Sequence, residues 1–194
     1  MSFLRTPDEG DDAGLYAADR AALGYVPNYT RVFALNPGVY AAWQGLNAAV
    51  KQDMDLRRYE LATFAAARAL RSSYCALAHG SLIRDRFHDA ATVAAMATDH
   101  HQAGLSEADV AIMDLAARVA TDGPSVTAED LDAVRRHGLS EAEIFQVVLA
   151  AAARCFFSTV LDATGTEPDA RYRDTVDESL RTALTVGRPV AETG

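Results

Sequence analysis

The chain has 194 residues and a mass of 20.8 kDa, with 27 Asp and Glu against 18 Lys and Arg and a formal net charge of −9. An acidic chain repels phosphate backbones and anionic lipid, so nucleic acid and membrane surfaces are set aside as partners. With 49% hydrophobic and 23% charged residues, it has material for a packed core, expected as one helical domain over 1–194.

Alanine is abundant, β-branched runs are scarce, and apolar residues recur at spacings of three and four, so the expected fold class is all-α. The first nine residues lack a basic start followed by an apolar run, which predicts a cytoplasmic address; residues 1–12 are expected to be a loose tail. A helix over 14–23 is predicted to stop at Gly24, and Tyr25, Val26, Pro27 and Asn28 read as a turn. Asn36, Pro37 and Gly38 open a helix carrying Tyr40, Trp43 and Leu46. The uncharged run 32–50 is long enough to cross a bilayer, but Asn36, Pro37, Gly38, Gln44 and Asn47 within it argue against that. Further helices are predicted over 56–70 and 74–87.

The second half is punctuated by a hydroxyl three residues before a carboxylate at Ser106/Asp109, Thr127/Asp130 and Ser140/Glu143, the signature of a capping box or its Asp variant. Gly123 with Pro124, and His137 with Gly138, supply the stops. The helix over 141–161 is the longest and most apolar, expected at the centre of the core. A last helix is predicted over 169–184, followed by a loose tail at 187–194. A weak internal repeat aligns 60–79 with 143–162, with identities at Glu60/Glu143, Ala67/Ala150, Ala69/Ala152 and Arg71/Arg154. It sets Ser72, Cys75 and His79 against Cys155, Ser158 and Asp162, as in a duplicated unit with one active copy.

The chemistry concentrates between Glu60 and Gly80. Cys75 and His79 are four apart, so on a helix they share a face about 5–6 Å apart at Cβ, where an imidazole can take a thiol proton. Ser72 is the predicted N-cap of the helix that holds them, making Cys75 its third residue, where free N–H groups favour a thiolate. Glu60 lies fifteen residues before Cys75, about 22 Å along a continuous helix. The two can meet only if the chain breaks near Arg71, Ser72 and Ser73, which would fold Glu60 back to orient His79.

These residues resemble the AhpD-like alkylhydroperoxidase and carboxymuconolactone decarboxylase superfamily, whose hydroperoxidases carry Glu, eleven residues, Cys-x-x-Cys and then His four residues on. Glu60, Cys75 and His79 match this spacing, with Ser72 in place of the first cysteine. Gly24, Tyr25, Val26, Pro27 and Asn28 before the site, and 138–144 after it, extend the likeness to the peroxidase-related branch. The resemblance implies an all-helical, trimeric or hexameric protein that reduces an organic hydroperoxide or hydrogen peroxide with an external thiol; with no glycine-rich phosphate loop or ligand cluster in the sequence, no cofactor or metal is expected. Its catalytic residues would be Cys75, His79, Glu60 and Ser72. Because Ser72 cannot close a disulfide, either Cys75 works alone through a sulfenic acid, or the chemistry has changed. The alternatives are a decarboxylase-like lyase or isomerase, and a non-catalytic oligomeric thiol sensor.

Around this centre, Tyr74 is expected on the substrate side, and Phe64, Leu70, Leu77 and Leu82 as apolar walls. Cys155 reads as an inert thiol, and a disulfide between it and Cys75 is not expected. His100 and His101 follow Asp99, but adjacent positions on a helix face different ways and no third ligand has a recognisable spacing, so no metal site is expected. His88 and His137 suit helix C-termini. Trp43 with Tyr40 suits a core or a subunit interface.

Overall fold

The structure, a computed structural model, describes residues 2–8 and 13–193. Among the described residues it is all-helical, without strands. In chain order the helices are α1 (Ala13–Leu23), α2 (Asn28–Phe33), α3 (Pro37–Gln52), α4 (Leu56–Ala69), α5 (Ser73–Arg86), α6 (Ala90–Asp99), α7 (Glu107–Asp122), α8 (Ala128–Arg135), α9 (Glu141–Ala163), α10 (Tyr172–Thr175) and α11 (Glu178–Leu184), with short 3-10 turns at His100–Gln102 and Gly123–Ser125.

Side-chain caps set most of these boundaries. Asn36 accepts from Val39 N, Asp55 from Arg58 N, and Ser106 from Asp109 N. Thr127 and Ser140 complete reciprocal boxes with Asp130 and Glu143. Two boundaries differ from expectation. The turn at Tyr25 to Asn28 runs into α2, a six-residue helix that starts after Pro27 without a side-chain cap. The last helix is two, because Val176 is extended and Asp177 caps α11 by accepting from Leu180 N.

The centre of the core is α4 rather than α9. Every residue of α4 from Tyr59 to Ala67 is buried, and the helix packs on α5, α7 and α9. Arg57 ties it to α7 through both oxygens of buried Asp109, at 2.6 and 2.7 Å, and Ser106 Oγ donates to the same carboxylate. Burial alone would raise that carboxyl, but the Arg57 and Ser106 bonds hold it below the usual range. Helix α9 is long and apolar enough to cross a membrane by length and composition. It packs instead on α3, α4, α7 and α8, carries the buried charge of Arg154, and leaves Phe145 and Phe156 exposed.

The segment expected as a loose C-terminal tail is docked. Gly187 N donates to Ser73 Oγ (2.7 Å), Arg188 reaches Asp162 O, Arg173 binds the carbonyls of Val190 and Ala191, and both of these residues are buried. A side chain on Gly187 would overlap the Arg71 carbonyl, so only glycine allows this approach. At the other end, Phe3 N donates to Thr164 O at 2.8 Å. Residues 9–12, also expected to be loose, lie outside the described residues.

Candidate active site

Helix α4 ends where the break was expected. Leu70 is its C-cap, Arg71 takes the left-handed conformation (φ 59°), Ser72 N donates to Ala67 O at 2.9 Å and Arg71 N to Arg68 O at 3.0 Å. This is a Schellman ending with arginine where glycine is usual. Helix α5 then starts at Ser73, and Cys75 is its third residue, among N–H groups that have no carbonyl partner within the helix. The reversal brings Glu60 of α4 to His79 of α5, with Oε2 2.5 Å from Nδ1. Thr63 Oγ1 lies 3.3 Å from the same nitrogen.

Glu60 is fully buried. Desolvation raises its pKa, but the facing imidazole outweighs that and the carboxyl sits below its usual range. His79 is pushed down by burial first and by the Arg154 charge second, against the pull of Glu60. The two directions do not describe an ion pair with a proton-loving imidazole. They fit an ionised Glu60 accepting Nδ1–H from a neutral His79, which leaves the Nε2 lone pair free to act as base.

Cys75 meets a residue that the sequence did not single out. Arg154 of α9 is 4% exposed, and its Nη1 lies 3.5 Å from Cys75 Sγ and its Nη2 3.4 Å from Tyr59 Oη. No carboxylate among the described residues forms an ion pair with it, and its Nε has no partner. Burial opposes its charge, yet the Cys75 sulfur and the Tyr59 oxygen hold it protonated. The Cys75 sulfur and the Tyr59 hydroxyl are the groups within its hydrogen-bond reach, and the Glu60 carboxylate feels its charge at longer range. The available signal was a lone charge in the apolar stretch 144–161. Its target could not be read, because the two partners are 79 residues apart.

Other expectations are redistributed. Cys75 Sγ does not bond His79 directly. Ser72 occupies the N-cap position, but its buried hydroxyl caps nothing and has no hydrogen-bond partner, although the Asp162 carboxylate is a near neighbour. Tyr74 is buried and donates its hydroxyl to Asp169 at 2.5 Å, so it offers no free donor on the substrate side. Phe64 and Leu77 belong to the main core, not to the walls of Cys75. Cys75 belongs instead to a second buried cluster with Phe33, Tyr40, Ala67, Tyr74, Phe157 and Leu161, and Trp43 stacks on Phe157 at 4.2 Å. Trp43 Nε1 is buried without a partner. Cys155 is a free thiol whose pKa burial pushes up. The aligned stretches 60–79 and 143–162 differ in local structure, the first broken at Arg71 and the second continuous within α9.

No protein-family model matches the chain, and no curated protein matches it at a significant level. Solved structures do. A peroxidase-related protein from Ralstonia eutropha, described as an alkylhydroperoxidase AhpD core, is 18% identical over 96% of this chain and 98% of its own, with a TM-score of 0.77. A peroxidase-related protein from a Silicibacter species is 20% identical over 88% and 90%, with a TM-score of 0.74. The debrominase Bmp8, as a cysteine-to-alanine variant in complex with 2,3,4-tribromopyrrole, is 18% identical over 93% and 95%, with a TM-score of 0.71. The chain has the AhpD-like fold.

Proposed function

We infer that the protein is a thiol-dependent peroxidase working through Cys75 alone. The observation that carries this reading is the convergence of Cys75, Arg154, His79 and Glu60 across the α4–α5 break. The Cys75 proton passes through a bridging water to His79 Nε2, since the sulfur does not bond the imidazole directly, and Arg154 holds the resulting thiolate. The sulfur attacks the distal oxygen of the hydroperoxide, an S–O bond forms as the O–O bond breaks, and the leaving alkoxide takes the proton back from His79. Two molecules of an external thiol then convert the sulfenic acid to thiol and water, leaving as their disulfide. Ser72, at the N-cap of α5, has no thiol and cannot resolve the sulfenic acid. The free thiols accord with a reducing, cytoplasmic setting. Exposed Val39, Leu46, Phe145 and Phe156 on α3 and α9 accord with a homo-oligomer, trimeric or hexameric.

A second reading, reductive removal of halogen from an aromatic ring, is favoured by the aromatic side chains in the cluster that holds Cys75 and by the likeness to a debrominase. Turnover of hydrogen peroxide and cumene hydroperoxide with dithiothreitol tests the first. Turnover should be measurable and absent in Cys75→Ser. Bromide release from a bromopyrrole without peroxide turnover would replace it with the second.

A further inference from the structure

We propose that His100, His101 and Asp114, none of which belongs to the thiol site, bind a divalent d-block cation such as Zn2+. The expectation that adjacent histidines diverge fails here for a local reason. Asp99 is extended (φ −156°, ψ 104°), and its side chain accepts from His101 N, so α6 ends and the chain enters a 3-10 turn. In that turn the two rings lie side by side, with centroids 4.4 Å apart. Both Nε2 atoms point at one oxygen of Asp114 on α7, at 2.8 and 3.0 Å, and the three donor groups lie within 4.8 Å of one another.

A tetrahedral ion about 2.0–2.1 Å from each donor would set them roughly 3.3 Å apart, so each histidine–Asp114 distance would open by only a few tenths of an ångström. The ion would take the place of the direct contacts that now link the two imidazoles to the carboxylate. Among the described residues no Lys or Arg pairs with Asp114: Arg118, one turn along α7, pairs with Asp130 at 3.0 Å. The third residue was invisible in sequence because it stands fourteen positions beyond His100.

Two imidazoles and one carboxylate suit Zn2+, Co2+, Ni2+ or Cu2+ better than the oxygen-seeking Ca2+ and Mg2+. His101 and Asp114 also line a cleft of about 840 Å3, together with Glu107, Arg118 and Thr121. A fourth position on the ion would therefore open to water or to a small ligand.

The test is titration of the full chain with ZnCl2 by calorimetry in a Cys75→Ser, Cys155→Ser background, which keeps the thiols out of the count. The expected result is one ion per chain. Asp114→Asn and His101→Gln should each weaken binding at least about tenfold, and Arg118→Gln should leave it unchanged. Circular dichroism confirms that the variants are folded, and the half-exposed Asp114 side chain makes Asp114→Asn a safe substitution. Absence of saturable one-to-one binding, or full-strength binding in folded Asp114→Asn, would overturn the proposal. So would Zn2+ binding seen in the parent and lost in the double serine background, which would place the ion on the thiols.

Discussion

Arg154 and Cys75 are 79 residues apart in sequence and 3.5 Å apart in space, and among the described residues no carboxylate lies within ion-pair distance of the guanidinium. The pair links the middle of α9 to the first turn of α5. If the thiol site works as inferred, Arg154 sets the reactivity of the sulfur. Arg154→Met, which keeps the bulk and removes the charge, should slow alkylation of Cys75 by iodoacetamide roughly ten- to a hundredfold, the worth of a charge-assisted hydrogen bond. Mass spectrometry of the labelled peptide at a fixed pH reads the rate. An unchanged rate in a folded variant would remove Arg154 from the site.

Glu60 and His79 make a prediction in pH. His79 lies below its ordinary value of 6.5 and Glu60 below 4.5, so both groups bind more protons in the unfolded chain than in the folded one. Their stabilisation is complete above those ordinary values and is lost as pH falls through the lower folded-state values. Activity that needs a neutral His79 should likewise persist below pH 6.5. In Glu60→Gln the carboxylate that pulls His79 upward is gone. The acid limb should move to lower pH, while turnover near neutrality falls because the imidazole proton is no longer fixed on Nδ1. An acid limb that moves upward would contradict this.

Ser72→Cys restores a two-cysteine spacing across the first turn of α5. Ser72 and Cys75 are both buried, and the Ser72 hydroxyl has no bond to lose. Mild peroxide should then produce a species lighter by two hydrogens in the variant and not in the parent. Recovery of only sulfinic acid would mean that the two side chains do not face each other.

Asp109 holds α4 to α7 through Arg57 and Ser106. Asp109→Ala leaves the guanidinium, which is about one-third exposed, without its partner. The loss should be about 2 kcal/mol, below the range for fully buried pairs because water screens one side. The native carboxyl is held below its usual range, so its contribution is present above about pH 4 and fades as pH drops through the folded value. Urea melts across that range should show the parent converging on the variant; a constant gap would refute the assignment.

Arg71 occupies a left-handed position that glycine fills more cheaply. Arg71→Gly should be neutral or stabilising by up to about 1 kcal/mol, with the loss of a 3.3 Å bond to Val186 O set against it. Arg71→Val should cost about 1–2 kcal/mol. Thermal melts distinguish the two, and equal melting temperatures would mean the turn does not hold this conformation in solution.

How much of this was legible followed the range of the interactions. Helices announced by Asn36, Ser106, Thr127 and Ser140 appear where expected, because a cap is decided within three residues. Helix α2 was missed because Pro27 opens it without a side-chain bond, and the split of the last helix because Asp177 resembles any surface acid until its bond to Leu180 N is seen. The reversal near Arg71 was deducible, since Glu60 could reach His79 in no other way. The partners of Arg154, Tyr74 and Asp114 are set by tertiary packing across 79, 95 and 14 residues, and no local pattern encodes them.

The docking of residues 186–188 on the α4–α5 turn has a kinetic side. Arg68 with Ala183, Arg71 with Val186 and Ser73 with Gly187 each close a loop of more than a hundred residues. Contacts of that span form late in folding, after the local helices are in place. The turn carrying the thiol is therefore completed only when the distant segment arrives, and the two should open together as one cooperative unit. Amide exchange at Ser73 and Gly187 would then report a single opening free energy, although the residues belong to opposite halves of the chain.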